Sequence, residues 1–271
     1  MSTHRRAVEV MGTIVSLAVR GPAAPEVLDR AWAEVVAGLR AADAVFSTYR
    51  PDSAINRWGR GELALEDAPP EVAEVLALAE DARLASGGAF DIAAVRSPYG
   101  GGPDPSGVVK GWAVARGAAV LEALPGVDYC LSAGGDLVAR TRAPGAAPWR
   151  IGIEDPRDPA RVLAVVPVGD GAVATSGSLH RGEHILDPRS GRPARALRQV
   201  TVVAPDVVSA DIDATTAFVL GADAAAWLAA RGRTALVVDA AGATCWVRPS
   251  SSSPSSWAPP SSPAARPAPC P

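Results

Sequence analysis

Strand-like and helix-like segments follow one another in an irregular order along this chain, and that order excludes several common folds. Short segments rich in β-branched residues cluster in the second half of the sequence, whereas helical spacing of apolar residues is limited to a few separate stretches. A doubly wound α/β sheet requires strands and helices to alternate regularly, and this chain lacks that alternation. We therefore predict an α+β fold in which mixed or antiparallel sheets pack against helices.

Periodicity and turn residues assign the individual segments. An alternating pattern predicts a first strand over residues 7–19, and apolar spacing predicts helices over 25–45, 70–85, 110–124 and 209–220, the last of which could continue to 230. Further strands are predicted over 129–132, 136–141, 149–153, 162–168, 172–175, 200–204, 235–238 and 244–247. The segments 134–135 and 239–242 predict hairpin turns.

The end of the chain differs in composition from the rest. Ser and Pro dominate residues 249–271, and no aliphatic side chain larger than that of alanine occurs there. Such a segment cannot bury enough apolar surface to offset the entropy that it would lose on ordering. We predict one folded domain over residues 5–248 and a disordered tail over residues 249–271.

Composition and charge limit the function classes. The 271 residues are 48% hydrophobic and carry a formal net charge of −3, so the chain can form a globular core but offers no basic surface to a nucleic acid. No apolar run reaches the ~18 residues of a transmembrane helix, and the N-terminus lacks the apolar core of a signal peptide. As written, the protein is expected in the cytoplasm; with a misassigned start, it could be exported or associated with a membrane.

Cysteine usage argues against covalent or metal crosslinks. The three cysteines are far apart and lack the spacing of metal ligands. We expect neither a disulfide nor a zinc site, and we interpret Cys130 and Cys245 as core residues.

Lys110 is the only lysine among the 26 lysine and arginine residues. An ammonium group is a compact point charge with three rotatable donors, and the planar guanidinium of arginine cannot replace it at every site. A lysine retained by chance is the alternative. The neighbouring run from Asp104 to Trp112 reads Asp-Pro-Ser-Gly-Val-Val-Lys-Gly-Trp.

Two common nucleotide-binding signatures are missing. The sequence contains neither a Gly-x-x-x-x-Gly-Lys-Ser/Thr loop nor a Gly-x-Gly-x-x-Gly turn after its first strand. Short segments with Gly, Ser, Thr or Asp occur instead at residues 11–13, 46–56, 87–91, 131–136 and 174–191, and their backbone N–H groups could face an anion. The first four also have an ordinary structural explanation as a bulge, a helix cap or a tight turn.

The segment 174–191 carries two of the three histidines. His180 and His184 lie among Thr, Ser, Arg and Asp rather than among apolar side chains. Imidazole can exchange a proton near neutral pH, so both are candidates for acid–base chemistry. A buried, hydrogen-bonded histidine is the alternative interpretation.

Asp211 and Thr215 are four residues apart in a predicted helix and therefore share one of its faces. A carboxylate and a hydroxyl form a hard oxygen site that suits Mg²⁺, which takes few protein ligands and shares a diphosphate. Capping of the helix N-terminus by Asp211 is the alternative.

Taken in chain order, these motifs resemble the FAD:protein FMN transferase (ApbE) family. The most specific are Lys110-Gly-Trp-Ala and His184-x-x-Asp-Pro-x-x-Gly, and the resemblance covers residues 8–246. It implies a single ApbE-like, T-fold-like domain in a short member of the family. It also implies a Mg²⁺-dependent transferase that cleaves FAD, attaches FMN through a phosphoester to a threonine of a target flavoprotein, and releases AMP.

The resemblance further implies residue roles. Mg²⁺ would be bound by the backbone carbonyl of Gly107 and by the side chains of Asp211 and Thr215. His184 would take the proton from the acceptor threonine, and Lys110 would neutralise diphosphate charge. Contacts with FAD are expected from Met11, Tyr49, Ala89, Phe90, Asp91, Asp104, Lys110, Thr175, Ser176, Gly177, His184 and Ile185.

Departures from the family pattern leave alternatives open. Asp91-Ile-Ala-Ala stands where Asp-Pro-Thr is usual, and Asp213 replaces an apolar residue, so Asp213 could either add a carboxylate near the metal or face solvent. The competing functions are hydrolysis of FAD, as an FAD diphosphatase, and non-catalytic FAD binding. Tyr49 favours transfer, because a tyrosine at this position resembles the transferase type.

Overall fold

The computed structural model describes residues 3–99, 101–180 and 182–249, and its centre is an antiparallel β-sheet. The strands in chain order are β1 (Thr3–Val10), β2 (Thr13–Arg20), β3 (Asp128–Ala133), β4 (Asp136–Arg140), β5 (Trp149–Asp155), β6 (Asp158–Val168), β7 (Asp170–Gly177), β8 (Leu186–Asp187), β9 (Arg192–Pro193), β10 (Leu197–Ala204), β11 (Thr234–Asp239) and β12 (Thr244–Val247). Eight of them form one sheet in the order β1-β2-β3-β4-β7-β10-β11-β12. β5 pairs with β6, and β8 pairs with β9.

The predicted first strand over residues 7–19 is a hairpin, so that prediction was wrong. β1 and β2 pair antiparallel from Thr3–Arg20 to Val10–Thr13, and the turn consists of Met11 and Gly12. Both turn residues have positive φ, 56° and 66°, as a two-residue type I′ turn requires. A left-handed methionine is uncommon, and for that reason the residue type did not signal the turn.

The helices pack mainly on one face of the large sheet. They are α1 (Pro25–Phe46), α2 (Ala54–Gly59), α3 (Pro70–Ala85), α4 (Ser106–Glu122), α5 (Val207–Leu220) and α6 (Ala224–Ala230), with single 3₁₀ turns at Leu65–Asp67, Ile92–Ala94 and Gly221–Asp223. The helix predicted from residue 110 starts four residues earlier. Gly107, Val108 and Val109 are weak helix formers, and they concealed this first turn. Lys110 consequently lies in the second turn of α4.

The core explains this arrangement of layers. α4 and α5 contact each other and the central strands β3, β4, β7 and β10, while α1 contacts β1 and α6 contacts β11 and β12. The β5–β6 hairpin covers part of the opposite face through Ile153 and Val166, which cluster with Leu137 and Leu236. The predicted α+β fold class is confirmed. The boundary at residue 248 stays a prediction, and the predicted tail from residue 250 onward lies outside the described residues.

One helical run in the described part of the chain is long and apolar enough to span a membrane by length and composition. It covers Val207–Ala230, and half of its most apolar window is buried inside the fold. Gly221, with a φ of 62°, interrupts the run between α5 and α6. Asp211 and Asp213 are buried within α5. Core helices pass the same test, so the run is weak support for a membrane span.

The two cysteines within the described ranges behave differently. Cys130 on β3 is a free thiol, and burial raises its pKa to about 11 although Arg20 opposes the shift. Cys245 on β12 is disulfide-bonded, so the expectation of no disulfide was wrong for this residue. Spacing along the chain does not report which sulfur atoms a fold brings together, and Cys245 lies on an edge strand where its side chain is partly accessible.

Candidate active site

Lys110 lies between two buried carboxylates where the helix layer meets the sheet. Its Nζ atom is 2.6 Å from Oδ2 of Asp136 and 3.9 Å from Oδ1 of Asp211. Asp136 is the first residue of β4, and Asp211 lies in the second turn of α5. The two aspartates are 0% and 3% exposed, whereas the Lys110 side chain keeps 29% of its surface accessible. The only lysine of the chain therefore connects a buried carboxylate pair with solvent.

The charged form of Asp211 is disfavoured by its surroundings. Burial and the charge of Asp136 raise the pKa of Asp211 well above its ordinary value, while Lys110 and the Gly111 N–H oppose the shift. The Gly111 N–H donates to Asp211 Oδ2 over 3.2 Å. A Cβ at position 111 would lie 3.1 Å from the Val207 carbonyl oxygen and 3.3 Å from Asp211 Oδ2. The glycine after Lys110 is thus what lets α4 and α5 approach so closely.

Thr215 follows Asp211 by one turn of α5 and contacts the end of β7. Its hydroxyl oxygen is 2.9 Å from Ser176 Oγ. The neighbouring Thr175 places its hydroxyl 2.9 Å from that of Thr201 on β10. At Gly177 a Cβ would lie 2.8 Å from the Arg198 carbonyl oxygen, so a side chain cannot fit without movement. The structure therefore joins the predicted residues 175–177 to the predicted metal ligand Thr215.

Gly107 lies in the first turn of α4, above a buried aromatic ring. A Cβ at Gly107 would be 3.3 Å from two ring carbons of Phe90. Phe90 and Ala89 are 4% and 1% exposed. The Phe90 ring therefore supports the start of α4. The predicted contacts of Ala89 and Phe90 with FAD stay predictions, and because both side chains are buried these contacts would involve backbone atoms.

Asp91 caps the 3₁₀ turn Ile92–Ala94, and Asp104 accepts a hydrogen bond at the start of α4. The Asp91 carboxylate accepts from the Ala93 N–H over 2.8 Å, and the Asp104 carboxylate accepts from the Ser106 N–H over 3.0 Å. The backbone N–H of Asp104 donates to the carbonyl of Ile92. Hydrogen bonds from backbone N–H groups to the two aspartates therefore stabilise the loop that leads into α4. Both aspartates are partly exposed.

Met11 lies near the turn that precedes Asp136. The Gly134 N–H donates to the carbonyl of Ile14 over 3.2 Å, and a Cβ at Gly134 would be 3.0 Å from Thr13 Oγ1. The β1–β2 turn and the Gly134-Gly135 turn consequently lie side by side. Met11 and Asp136 therefore lie at the same end of the strands of the large sheet.

Tyr49 is exposed on a loop that one asparagine holds in place. Its accessibility is 78%. Asn56 is buried, and its Nδ2 donates to the carbonyls of Thr48 over 3.2 Å and Arg50 over 2.8 Å, on either side of Tyr49. The Ser97 hydroxyl also donates to Asn56 Oδ1. The aromatic ring is therefore presented to solvent from a fixed backbone.

The two candidate histidines lie in the segment between β7 and β8, and both are exposed. His184 Nδ1 is 3.2 Å from the Gly182 carbonyl oxygen. The next residue, Ile185, accepts a hydrogen bond from the Ala194 N–H and packs against the main core. His180 Nε2 is 2.8 Å from Glu154 Oε2 on β5. His184 is thus anchored by Ile185, whereas His180 is paired with the β5–β6 hairpin.

Asp213 neither joins the Lys110 cluster nor faces solvent, so both expectations for it were wrong. It is 0% exposed. The Nε atoms of Arg231 and Arg233 donate to its two carboxylate oxygens over 3.0 and 2.6 Å. Residues two positions apart on a helix point in different directions, which separates Asp213 from Asp211.

Asp136 is the site residue that sequence reasoning missed. The Gly-Gly-Asp segment was noticed, but a tight turn with a capped aspartate explained it equally well. In the structure, Asp136 Oδ1 accepts from the Thr175 N–H over 3.4 Å. A Cβ at Gly135 would lie 3.3 Å from the Thr175 carbonyl oxygen, so the two strands approach closely at this point. In the sequence, the Gly134-Gly135 pair was the feature that could have indicated this close approach and thereby Asp136.

The donor set fits a divalent cation that prefers oxygen. When ionised, the carboxylates of Asp136 and Asp211 exceed the charge of Lys110 by one unit. Thr215 adds a hydroxyl oxygen. No cluster of three His, Cys, Asp or Glu side chains that could hold a metal occurs in the described ranges. Mg²⁺ needs no such cluster, because it keeps several waters and shares phosphate oxygens.

Comparison with known proteins identifies the family of this chain. A model of the ApbE family matches residues 11–97 and 102–238. The chain belongs to the ApbE family. All residues to which a role was assigned above on the basis of the resemblance lie inside the two matched segments.

Solved structures of ApbE proteins share the fold. The ApbE protein of Thermotoga maritima superposes with a TM-score of 0.78 at 22% identity, covering 92% of this chain and 97% of that one. A flavinyl transferase ApbE of Pseudomonas stutzeri superposes with a TM-score of 0.73 at 26% identity, covering 88% of this chain and 91% of that one. The single-domain ApbE fold is thereby confirmed.

Curated relatives match over shorter stretches. The FAD:protein FMN transferase of Haemophilus influenzae is 33% identical over 144 residues, which are 49% of this chain and 42% of that protein. The enzyme of the same name from Escherichia coli K12 is 36% identical over 132 residues, 45% of this chain and 38% of that protein. The matches therefore span less than half the length of these relatives.

Proposed function

We propose that this protein is an FAD:protein FMN transferase that uses Mg²⁺, attaches FMN to a threonine of a flavoprotein, and releases AMP. The observation that carries the proposal is the Lys110 amine 3.9 Å from Asp211, an oxygen donor that shares one face of α5 with Thr215. An ammonium group next to a hard oxygen site is suited to a diphosphate. Relatives named for this activity support the same conclusion.

Substrate binding would divide between the cation site and its surroundings. Asp211, Thr215 and the carbonyl of Gly107 would hold Mg²⁺, which when bound supplies positive charge and polarises phosphoryl oxygens. Lys110 would donate from Nζ to oxygens of the diphosphate. The exposed ring of Tyr49 offers an aromatic face on which a flavin can stack.

Transfer would proceed by displacement at the phosphorus of the FMN half. The acceptor threonine oxygen forms the new bond to this phosphorus, and the bond from phosphorus to the bridging oxygen breaks. AMP leaves with that oxygen and its electron pair. The threonine proton passes to the imidazole of His184, whose exposed position leaves it accessible to a protein acceptor. Lys110 stabilises the charge that develops on the leaving diphosphate oxygen.

The decisive experiment incubates the protein with FAD, Mg²⁺ and a flavoprotein domain that contains an acceptor threonine. Intact mass spectrometry should show an FMN adduct on the acceptor, and chromatography should show AMP in equal amount. Replacing the acceptor threonine by valine should abolish the adduct. AMP without an adduct would identify an FAD diphosphatase, and bound FAD without AMP would identify a binding module.

We propose that the acceptor is a flavoprotein and that the transfer takes place in the cytoplasm. A mass search for threonine-linked FMN among proteins of the source cell, compared between cells with and without this protein, would identify the acceptor. Fractionation of the modified protein would then show the compartment.

A further inference from the structure

The geometry points to Asp136 as a positioning residue that holds the Lys110 amine away from Asp211, so that the Asp211 carboxylate stays available to a metal ion. This inference rests on the proposed function, in which Asp211 is a Mg²⁺ ligand. None of the roles implied by the family resemblance includes Asp136. The carboxylates of Asp136 and Asp211 compete for one amine.

The amine has two alternative partners within reach. Lys110 Nζ is 2.6 Å from Asp136 Oδ2 and 3.9 Å from Asp211 Oδ1. A charge-assisted hydrogen bond spans about 2.8 Å, so a shift of about 1 Å would transfer the amine to Asp211. The lysine side chain has four rotatable carbons and allows such a shift. If the amine paired with Asp211, it would occupy the carboxylate that the metal requires.

Asp136, in contrast, belongs to a buried strand of the sheet. It is the first residue of β4, paired with Ala133 across the Gly134-Gly135 turn. Its side chain is fully buried, and Oδ1 accepts from the backbone N–H of Thr175 on β7. Because the backbone of Asp136 is paired in the sheet and the Lys110 side chain is long and rotatable, the position of Asp136 determines where the amine lies. Asp136 neutralises Lys110 at 2.6 Å, while the amine stays 3.9 Å from Asp211.

Substituting Asp136→Asn removes the charge while keeping the size of the side chain. The amide cannot form an ion pair, so the Lys110 amine is expected to move to Asp211 and to compete there with Mg²⁺. Loss of such a supporting residue typically weakens metal binding by about tenfold. The substitution Asp213→Asn is the matched control, because it also neutralises a buried aspartate of an ion-pair cluster but lies outside the site.

The single lysine makes the amine directly observable. In protein labelled with ¹³C,¹⁵N-lysine and carrying a lysine-free tag, all lysine side-chain signals come from Lys110. These signals are followed during titration with Mg²⁺ alone, without FAD or acceptor. In the wild type and in Asp213→Asn, the side-chain signals should shift little, because the amine stays on Asp136. In Asp136→Asn they should shift strongly, because Mg²⁺ displaces the amine from Asp211.

Affinities from the same titrations complete the test. Asp136→Asn should weaken Mg²⁺ binding about tenfold, and Asp213→Asn should change it by less than about twofold. Adding Lys110→Met to Asp136→Asn should restore most of the lost affinity, because the competing amine is gone. Wild-type affinity in Asp136→Asn, unshifted lysine signals on titration, or no restoration in the double variant would each overturn the positioning role.

This titration also separates the inference from the proposed function. A wild-type protein that fails to transfer FMN but shows the predicted lysine shifts would retain the role of Asp136 in metal binding. A protein that transfers FMN but shows none of these shifts would retain the function and lose the inference. Circular dichroism of each variant confirms that the fold is intact before titration.

Discussion

Helix α5 carries two buried aspartates two residues apart, and the charges around them have opposite balances. Asp213 is bound by the guanidinium groups of Arg231 and Arg233. Asp211 shares a single ammonium, that of Lys110, with a second carboxylate, that of Asp136. One carboxylate is surrounded by excess positive charge, and the other by excess negative charge.

This difference distinguishes a structural ion pair from a ligand site. A buried charge that the chain itself neutralises needs nothing further, whereas one that lacks positive charge gains most from an added cation. Residue type, helix and burial are the same for both aspartates. Their roles are set by residues far away in sequence, at positions 110 and 136 for one and 231 and 233 for the other.

Removing the carboxylate of Asp213 should have the largest effect on stability. Asp213→Ala leaves two guanidinium groups without their shared partner, and loss of one side of a buried pair costs about 3 kcal/mol or more. The lower end is expected, because the arginines are 34% and 16% exposed and can reach water. Urea denaturation measures the loss. A change below about 1 kcal/mol would contradict a structural role for this cluster.

Changing the amine of Lys110 should affect activity and not the fold. Lys110→Arg keeps the charge but replaces three rotatable donors by a planar fork, and kcat/KM for FAD should fall by about 100-fold. Arg231→Lys is the matched control, since it makes the reverse change at Asp213 and should leave transfer rates as in the wild type. Equal kinetics for Lys110→Arg and wild type would refute the role of the amine.

The sequence predicted the fold class and most helices and strands, and it singled out Lys110 and Asp211, which the structure brings to within 3.9 Å of each other. Patterns of this kind are local: the 3.6-residue spacing of α1, or the four-residue spacing of Asp211 and Thr215, can be recognised without knowing the tertiary contacts. The Lys110-Gly111 pair was also recognisable, although its structural reason is the close approach of α4 to α5.

The remaining features depend on contacts that local patterns do not contain. The β1–β2 turn was missed because methionine rarely adopts the positive φ that Met11 shows. Asp136 was explained as a turn residue because its partner, Lys110, comes from another element. For the same reason the surroundings of Asp213 could not be foreseen, since both of its arginines follow α6.

The pH dependence of Mg²⁺ binding should separate the two aspartates further. The pKa of Asp211 is raised by burial and by Asp136, and a ligand must lose its proton before it binds a metal. Mg²⁺ affinity should therefore increase with pH, by up to about tenfold per pH unit below this raised pKa, and level off above it. Calorimetric titration at several pH values measures the slope. The Asp213→Asn variant should give the same profile, and a flat wild-type profile would contradict the assignment of Asp211 as a ligand.

Of the predicted changes in stability, that caused by neutralising Asp211 should be the smallest, and its sign is opposite to that for Asp213. Because the folded-state pKa of Asp211 is raised above the ordinary 3.8, its contribution to stability is complete below that value and is lost as pH rises through the folded-state pKa. In metal-free protein at neutral pH, Asp211→Asn should thus raise the free energy of unfolding by about 1 kcal/mol. Urea denaturation in the presence of a chelator measures this gain.

Mg²⁺ should stabilise the wild type and not the Asp211→Asn variant. A destabilised variant would mean that Asp211 is already fully compensated within the chain, as Asp213 is.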